Sequence, residues 1–297
     1  MDKHYISRIP VERSKVMLWG QKNLAVWGGC MNFAERYGPW AVIAGASEGT
    51  GRAYARKVAA RGINCLLIAR RNAPLATLAT EIRAQSGVEC ITAAIDLAAP
   101  DAFDRIVAAV GTREVGLFIS NAGSDPNGAR FLDRDLATWM ELVQRNVVTM
   151  MQCCHHFAKP MCERKKGGLL LVNSGACYGG STFMAAYSAS KAFTLCLAES
   201  LWGELRRHGV HVLTLIMHMT DTPALRTLLA EKGLPVPPSI ASSDDVAEAG
   251  LTRLAHGPVH NWNLEDEIAG YAMISASDRR KRVLAIEEVS VHVFGKD

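Results

Sequence analysis

Ser174, Tyr187 and Lys191 are the residues of this chain whose types and spacing could do chemistry together. Four positions separate Tyr187 from Lys191, so on a helix both side chains lie on one face and within reach of each other. A phenol with an ordinary pKa of about 10 exchanges a proton near neutral pH only with help, and a neighbouring ammonium favours its phenolate form. Ser174 follows the apolar run Leu169 to Val172 and can hold a carbonyl or hydroxyl oxygen beside that phenol. The set is an acid/base centre for interconverting an alcohol and a ketone. An exposed helix face also carries such a Tyr and Lys by chance, so the reading depends on the rest of the chain.

A glycine turn supplies that context. Gly45-Ala-Ser47-Glu48-Gly49-Thr50-Gly51 follows the apolar run Ala41 to Ala44 and opens a helical pattern beginning at Arg52. Backbone N–H groups at such a helix start face a diphosphate, although the spacing is Gly-x-x-x-Gly-x-Gly and not Gly-x-Gly-x-x-Gly. An NAD enzyme usually presents an acidic residue to the ribose hydroxyls at the end of the second strand; here Ala69, Arg70 and Arg71 stand there. Two guanidiniums can grip a 2′-phosphate, and no carboxylate at that strand end opposes them, so the expected cofactor is NADP(H). Asp96 and Leu97 end the third run and can contact adenine, while Asn121-Ala122-Gly123 ends the fourth and falls under the nicotinamide ribose.

These residues need a common scaffold. Short apolar runs (Ala41 to Ala44, Cys65 to Ala69, Val88 to Ile95, Val115 to Ile119, Leu169 to Val172, Val210 to Met217) alternate with longer helical patterns. Continuous apolarity in the runs means strands covered by helices on both faces, so the expected class is α/β, a doubly wound Rossmann-type fold with a mainly parallel sheet. Loops beyond the strand ends bind ligands in such folds, which makes residues 220–242 the candidate substrate lid. Residues 1–38 read as an N-terminal extension and 39–297 as a single domain. The extension, with Val16, Trp19, Val26 and Trp27 among glycines, is a candidate for subunit docking or peripheral membrane contact, or it packs on its own domain.

Composition removes other function classes. A formal charge of +4 over 297 residues, without a long basic block, argues against nucleic acid. Eight scattered cysteines with no Cys-x-x-Cys pair and no secretory leader fit reduced thiols and a cytoplasmic protein, and no apolar run reaches membrane-spanning length. His155 and His156 are adjacent and diverge by about 100° on a helix, so no metal site is expected from them. Cys153, Cys154 and Cys177 lack the basic setting of a nucleophile, although Cys177 falls near the expected site. Asn173-Ser174-Gly175 is not the Gly-x-Ser-x-Gly of a hydrolase.

The glycine turn, Asn121-Ala122-Gly123, Asn146, Ser174 and Tyr187-Ser-Ala-Ser-Lys191 together resemble the short-chain dehydrogenase/reductase family over about residues 38–225. The resemblance implies seven strands in the order 3-2-1-4-5-6-7, a homodimer or homotetramer, and a catalytic set of Asn146, Ser174, Tyr187 and Lys191. In it Asn146 binds a water that links Lys191 to solvent, and Lys191 also anchors the ribose. Thr220 and Thr222 keep positions that in the family hold the carboxamide and diphosphate. Closer in, the chain resembles bacterial NADPH-dependent 7β-hydroxysteroid dehydrogenases through Arg36-Tyr-Gly-Pro-Trp40, Ala69-Arg-Arg71, Asn146-Val-Val-Thr149, His155-His156 and Val259-His-Asn-Trp262 ahead of Glu265-Asp-Glu267. That implies a bulky hydrophobic ketone or alcohol such as an oxo-steroid, with a 3-oxoacyl or other lipid-like ketone as the alternative, and a non-catalytic NADPH-binding regulator as the reading of another class. Two features depart from the family pattern: Met217-His218 stands where Pro-Gly is usual, and the acidic segment around Glu265 replaces an Asp-Gly-Gly ending.

Overall fold

The computed structural model describes residues 31–125, 128–238 and 240–262. The expectations placed on residues 1–30 and on Glu265 to Glu267 lie outside the described residues.

Six apolar runs become parallel strands: β1 (Trp40–Ala44), β2 (Asn64–Ala69), β3 (Cys90–Ala94), β4 (Val115–Ser120), β5 (Gly167–Ser174) and β6 (Val210–Met217). The short strands β7 (Thr220–Asp221), β8 (Ala241–Ser242) and β9 (Val259–Asn261) follow. The main sheet has seven strands in the order β3-β2-β1-β4-β5-β6-β9, as the family resemblance implies. Strand order reverses between β1 and β4, so the crevice at their carboxyl ends is where a doubly wound fold binds ligand.

The helices are α1 (Phe33–Tyr37), α2 (Gly49–Ala59), α3 (Asn72–Ser86), α4 (Ala102–Val110), α5 (Leu136–Val143), α6 (Thr149–Glu163), α7 (Ala185–Leu205), α8 (Pro223–Glu231) and α9 (Ser243–Arg253). They cover both faces. Alternate residues of β1 go opposite ways: Ala41 and Ile43 join a core with Tyr54, Leu78 and Val246, whereas Val42 and Ala44 join one with Ile106, Phe157 and Ala198. Every residue of β1 and β4 is buried, which explains why those runs are apolar without alternation.

Local signals set the helix ends. Gly87 closes α3 in the left-handed conformation, Thr222 caps α8 by accepting from the Leu225 amide, and Ser242 caps α9 by accepting from the Asp245 amide. Helix α2 begins at Gly49, three residues before the apolar periodicity suggested, because a helix start is fixed by backbone geometry before it shows in side-chain pattern. Tyr37 of α1 is buried on the core, its hydroxyl 2.6 Å from His211 Nδ1 in β6. The 220–242 excursion leaves and returns through one small parallel ladder, β7 on β8, with α8 between.

Candidate active site

The expected residues gather along the carboxyl edge of the sheet. Gly45 takes φ +84°, and a Cβ there would meet the Ala122 amide at 2.7 Å, so the turn after β1 lies directly on the end of β4. The amides of Gly45 and Ala46 donate to the Ile68 carbonyl of β2, and the Asn121 side-chain amide donates to the Gly45 carbonyl at 3.1 Å. A Cβ on Gly51 would fall on that same carbonyl oxygen. The first turn of α2 therefore opens at the meeting of β1, β2 and β4. Thr50 Oγ1, buried in that turn, has no hydrogen-bond partner among the described residues. A helix N-terminus with an unsatisfied hydroxyl and close-packed glycines fits a dinucleotide diphosphate.

Adenosine-side residues follow along the edge. Asp96 turns the chain by accepting from the Ala98 amide, and Leu97 is buried with its carbonyl held by Thr149 Oγ1 at 2.9 Å. Arg70 and Arg71 are exposed at the end of β2. Arg71 Nη2, however, lies 2.6 Å from Glu48 Oε2. The carboxylate that meets Arg71 comes from the glycine turn, 23 residues back, a source the reading of the strand end alone did not consider.

Between α5 and α6 the backbone makes a π-turn, Gln144–Val148, which carries Asn146 into the interior. Its Nδ2 donates to Ser190 Oγ at 3.1 Å and to the Gly123 carbonyl at 3.4 Å, while Oδ1 has no hydrogen-bond partner among the described residues. A Cβ on Gly123 would lie 3.0 Å from Lys191 Nζ and 3.2 Å from Asn146 Oδ1, so these two groups converge on Gly123. Lys191 is buried, and its ammonium donates to the Val172 carbonyl at 3.2 Å. Burial pushes its pKa down to about 8; the neighbouring Cys177 opposes this and the Arg145 charge adds to it.

Ser174 stands at the end of β5, its Oγ accepting from the Ala176 amide at 3.3 Å and its hydroxyl bonded to Tyr187. Burial holds the Tyr187 phenol above its ordinary pKa, the Ser174 hydrogen bond working against the rise. The ammonium of Lys191 lies 5.7 Å from the Tyr187 ring centroid, but the lowering that the four-residue spacing suggested is not found: besides burial, the charges of Asp125 and Cys177 raise the phenol, and Ser174 alone lowers it. Cys177 is buried beside this pair, where its position in the sequence suggested. Thr220 is buried with its hydroxyl on the His218 carbonyl, and the Thr222 methyl sits 2.8 Å from the position of a Cβ on Gly49. Ser47 completes the turn, partly buried.

Two neighbours were not singled out from the sequence. Arg145, half-buried, feels the charges of Arg70, Asp96 and Asp125, and its Nε has no hydrogen-bond partner among the described residues. His218 brings its imidazole to 3.7 Å from where a Cβ on Gly175 would stand, so it occupies the rim beside Ser174. The only sequence signal for His218 is its place in the Met217-His218 departure; Arg145 has none beyond adjacency to Asn146.

The profile of the short chain dehydrogenase family matches residues 39–233. The chain is 33% identical to a 7beta-hydroxysteroid dehydrogenase of Collinsella aerofaciens, over 66% of this chain and 74% of that one. It is 26% identical to the 7beta-hydroxysteroid dehydrogenase of Mediterraneibacter gnavus, over 81% and 97%, and 33% identical to a very-long-chain 3-oxoacyl-CoA reductase of Laccaria bicolor, over 61% and 54%. A solved structure concerned with 7beta-hydroxysteroid dehydrogenase stereoselectivity superimposes with TM-score 0.72 at 28% identity, covering 78% of this chain and 90% of that one. A short-chain dehydrogenase from Sphingobium yanoikuyae in complex with NADPH superimposes with TM-score 0.69 at 26% identity, covering 76% and 89%. With its seven-stranded sheet, its glycine turn at the strand reversal, and Ser174, Tyr187 and Lys191 on the same edge, the chain belongs to the short-chain dehydrogenase family, oxidoreductases of CH–OH groups that work with a nicotinamide cofactor.

Proposed function

We propose that this oxidoreductase uses NADP(H) to interconvert a ketone and a secondary alcohol on a bulky hydrophobic substrate, with an oxo-steroid or hydroxysteroid as the favoured class. The observation that carries the reading is the convergence of Ser174, Tyr187 and buried Lys191 beside the glycine turn. Support for the steroid class comes from the 7beta-hydroxysteroid dehydrogenases among its relatives in both sequence and fold. Support for NADP(H) comes from Arg70, exposed at the end of β2 and without an ion-pair partner among the described residues.

The nicotinamide, when bound, gives or takes the hydride at the carbonyl carbon. The chain handles the oxygen. Ser174 Oγ accepts from the Ala176 amide and its hydroxyl is bonded to Tyr187, and a substrate oxygen arriving between the two takes that hydroxyl proton over from the phenol. Tyr187, kept protonated by its raised pKa, donates its phenolic proton to that oxygen in the reductive direction. Lys191 stabilises the phenolate left behind and anchors the ribose, and Asn146 Oδ1 takes a water through which the proton is replaced. Gly45, Ser47, Glu48, Gly49, Thr50 and Gly51 line the diphosphate and ribose, Asp96 and Leu97 the adenine, Asn121, Ala122 and Gly123 the second ribose, and Thr220 and Thr222 the carboxamide end. Residues 220–242 form the substrate lid.

The reading also takes residues 39–297 as the catalytic domain with 1–38 as its extension, and the protein as a cytoplasmic homodimer or homotetramer. Among the described residues no helix is long and apolar enough to cross a membrane. Leu136 and Met140, four residues apart on α5, are 67% and 55% exposed, and Leu132 on the turn before it is 91% exposed, apolar surface that a second subunit would cover.

A second substrate class is favoured by the Laccaria relative: a long-chain 3-oxoacyl thioester. Loss of NADPH absorbance, with NADH as control, across oxo-steroids, 3-oxoacyl thioesters and small ketones separates the readings. Turnover of oxo-steroids ahead of the other classes supports the proposal. Turnover confined to thioesters moves it to the second class, and silence across the panel with NADPH bound contradicts both.

A further inference from the structure

The two arginines after β2 are not equally open to a new anion. Glu48 stands immediately before Gly49 as the residue capping α2, and its carboxylate lies 2.6 Å from Arg71 Nη2. The turn that carries Glu48 is tied to the end of β2 through the Gly45 and Ala46 amides on the Ile68 carbonyl, so the backbone that bears this carboxylate is held beside the strand end. Arg71 is itself the residue before α3, extended at φ −95° and ψ 119°, with its side chain drawn back to the turn. Arg70 makes no ion pair among the described residues and faces the charge of Arg145. Two cations therefore meet on the Arg70 side, where Asp96, Asp125 and Glu141 act on Arg145 but none forms an ion pair with Arg70 among the described residues, while a neutralised pair stands on the Arg71 side.

A ribose 2′-phosphate arriving at the end of β2 meets a like charge in Glu48 and competes with it for the same guanidinium. From this geometry we infer that Glu48 limits selectivity for the phosphorylated cofactor: it holds Arg71 away from the 2′-phosphate and leaves Arg70 as the guanidinium that recognises it. Glu48 is thus a built-in competitor, and the two arginines are unequal despite being adjacent. The pair is solvent-exposed at both ends, 61% and 40%, so its hold on Arg71 is modest and its release changes affinity by a small factor.

The inference rests on the NADP(H) reading, and direct binding separates the two. NADPH, NADH and adenosine 2′,5′-bisphosphate, a probe without nicotinamide, are titrated by fluorescence or calorimetry into the full chain and into Arg70→Ala, Arg71→Ala and Glu48→Gln. All three side chains are at the surface, and thermal melts check that each variant is folded. The expected pattern is a fall in NADPH affinity, relative to NADH, of about tenfold or more for Arg70→Ala and about threefold or less for Arg71→Ala. Glu48→Gln is expected to tighten NADPH and the bisphosphate by about threefold. Equal losses for the two arginine variants overturn the inference, as does a Glu48→Gln variant that binds the bisphosphate no better or more weakly, since Glu48 then aligns Arg71 for the phosphate. A wild-type chain that binds NADH as tightly as NADPH overturns the cofactor reading itself, an outcome visible before any variant is made.

Discussion

Lys191 stands over the ring of Tyr187, its ammonium 5.7 Å from the ring centroid, and donates to the Val172 carbonyl. A charge so placed is held for function at the expense of stability, because burial, with one carbonyl acceptor among the described residues, lowers its pKa to about 8 from 10.5.

The sign of the stability effect follows from that shift. The folded pKa lies below the unfolded one, so between pH 8 and 10.5 the unfolded chain binds the extra proton, and stability rises with pH across that window. Below it the penalty is present in full, at most about 3 kcal/mol. Lys191→Met is expected to melt no lower than wild type at neutral pH, with any advantage shrinking above pH 8, while ketone reduction is lost. Thermal melts on both sides of that pH check it. A variant clearly less stable than wild type at pH 7 contradicts the account.

His211, at the opposite end of the sheet from the site, sets the acid limit. Burial pushes its pKa down to about 4, with the charges of Arg36 and His256 adding, and Tyr37 is its neutral partner. The unfolded chain takes up the proton first, so stability is complete above about pH 6.5 and declines as pH falls toward 4, by about 2–3 kcal/mol. His211→Gln should flatten this part of the pH profile of the melting temperature. An unchanged slope in the variant assigns the acid loss to other groups.

Gly51 tests the glycine turn. A Cβ there falls on the Gly45 carbonyl oxygen, a backbone atom, and 2.6 Å from the Asn121 Nδ2 that donates to that same oxygen. Gly51→Ala is expected to destabilise by about 2 kcal/mol or more and to weaken NADPH binding at least about tenfold, read by melting and titration. Wild-type affinity in this variant would show that the turn does not cradle the dinucleotide.

What the sequence made legible is what repeats along the chain. Val210–Met217 occupies its expected bounds and β1, β2 and β4 come within a residue of theirs, since a strand buried on both faces is written as a continuous apolar run. The three-residue β9 and the β7/β8 ladder are too short to show a period. The site residues carried by motifs, from Gly45 to Lys191, were legible as types and spacings. Their electrostatics were not: the Glu48–Arg71 pair joins residues 23 apart, the position of Lys191 depends on the Val172 carbonyl, and Arg145 reaches the site only through the π-turn. Such contacts belong to chain crossings, which no local pattern encodes.

The most direct test of the site is Tyr187→Phe in the full chain, with NADPH affinity and ketone turnover measured on the same preparation against whichever bulky ketone the wild type reduces. The account predicts a turnover loss of about a thousandfold with NADPH affinity held within about threefold, since only the phenolic proton is removed. Turnover retained at near wild-type rate would contradict the assignment of Tyr187 as the proton donor and, with it, the reading of this edge of the sheet as the catalytic centre.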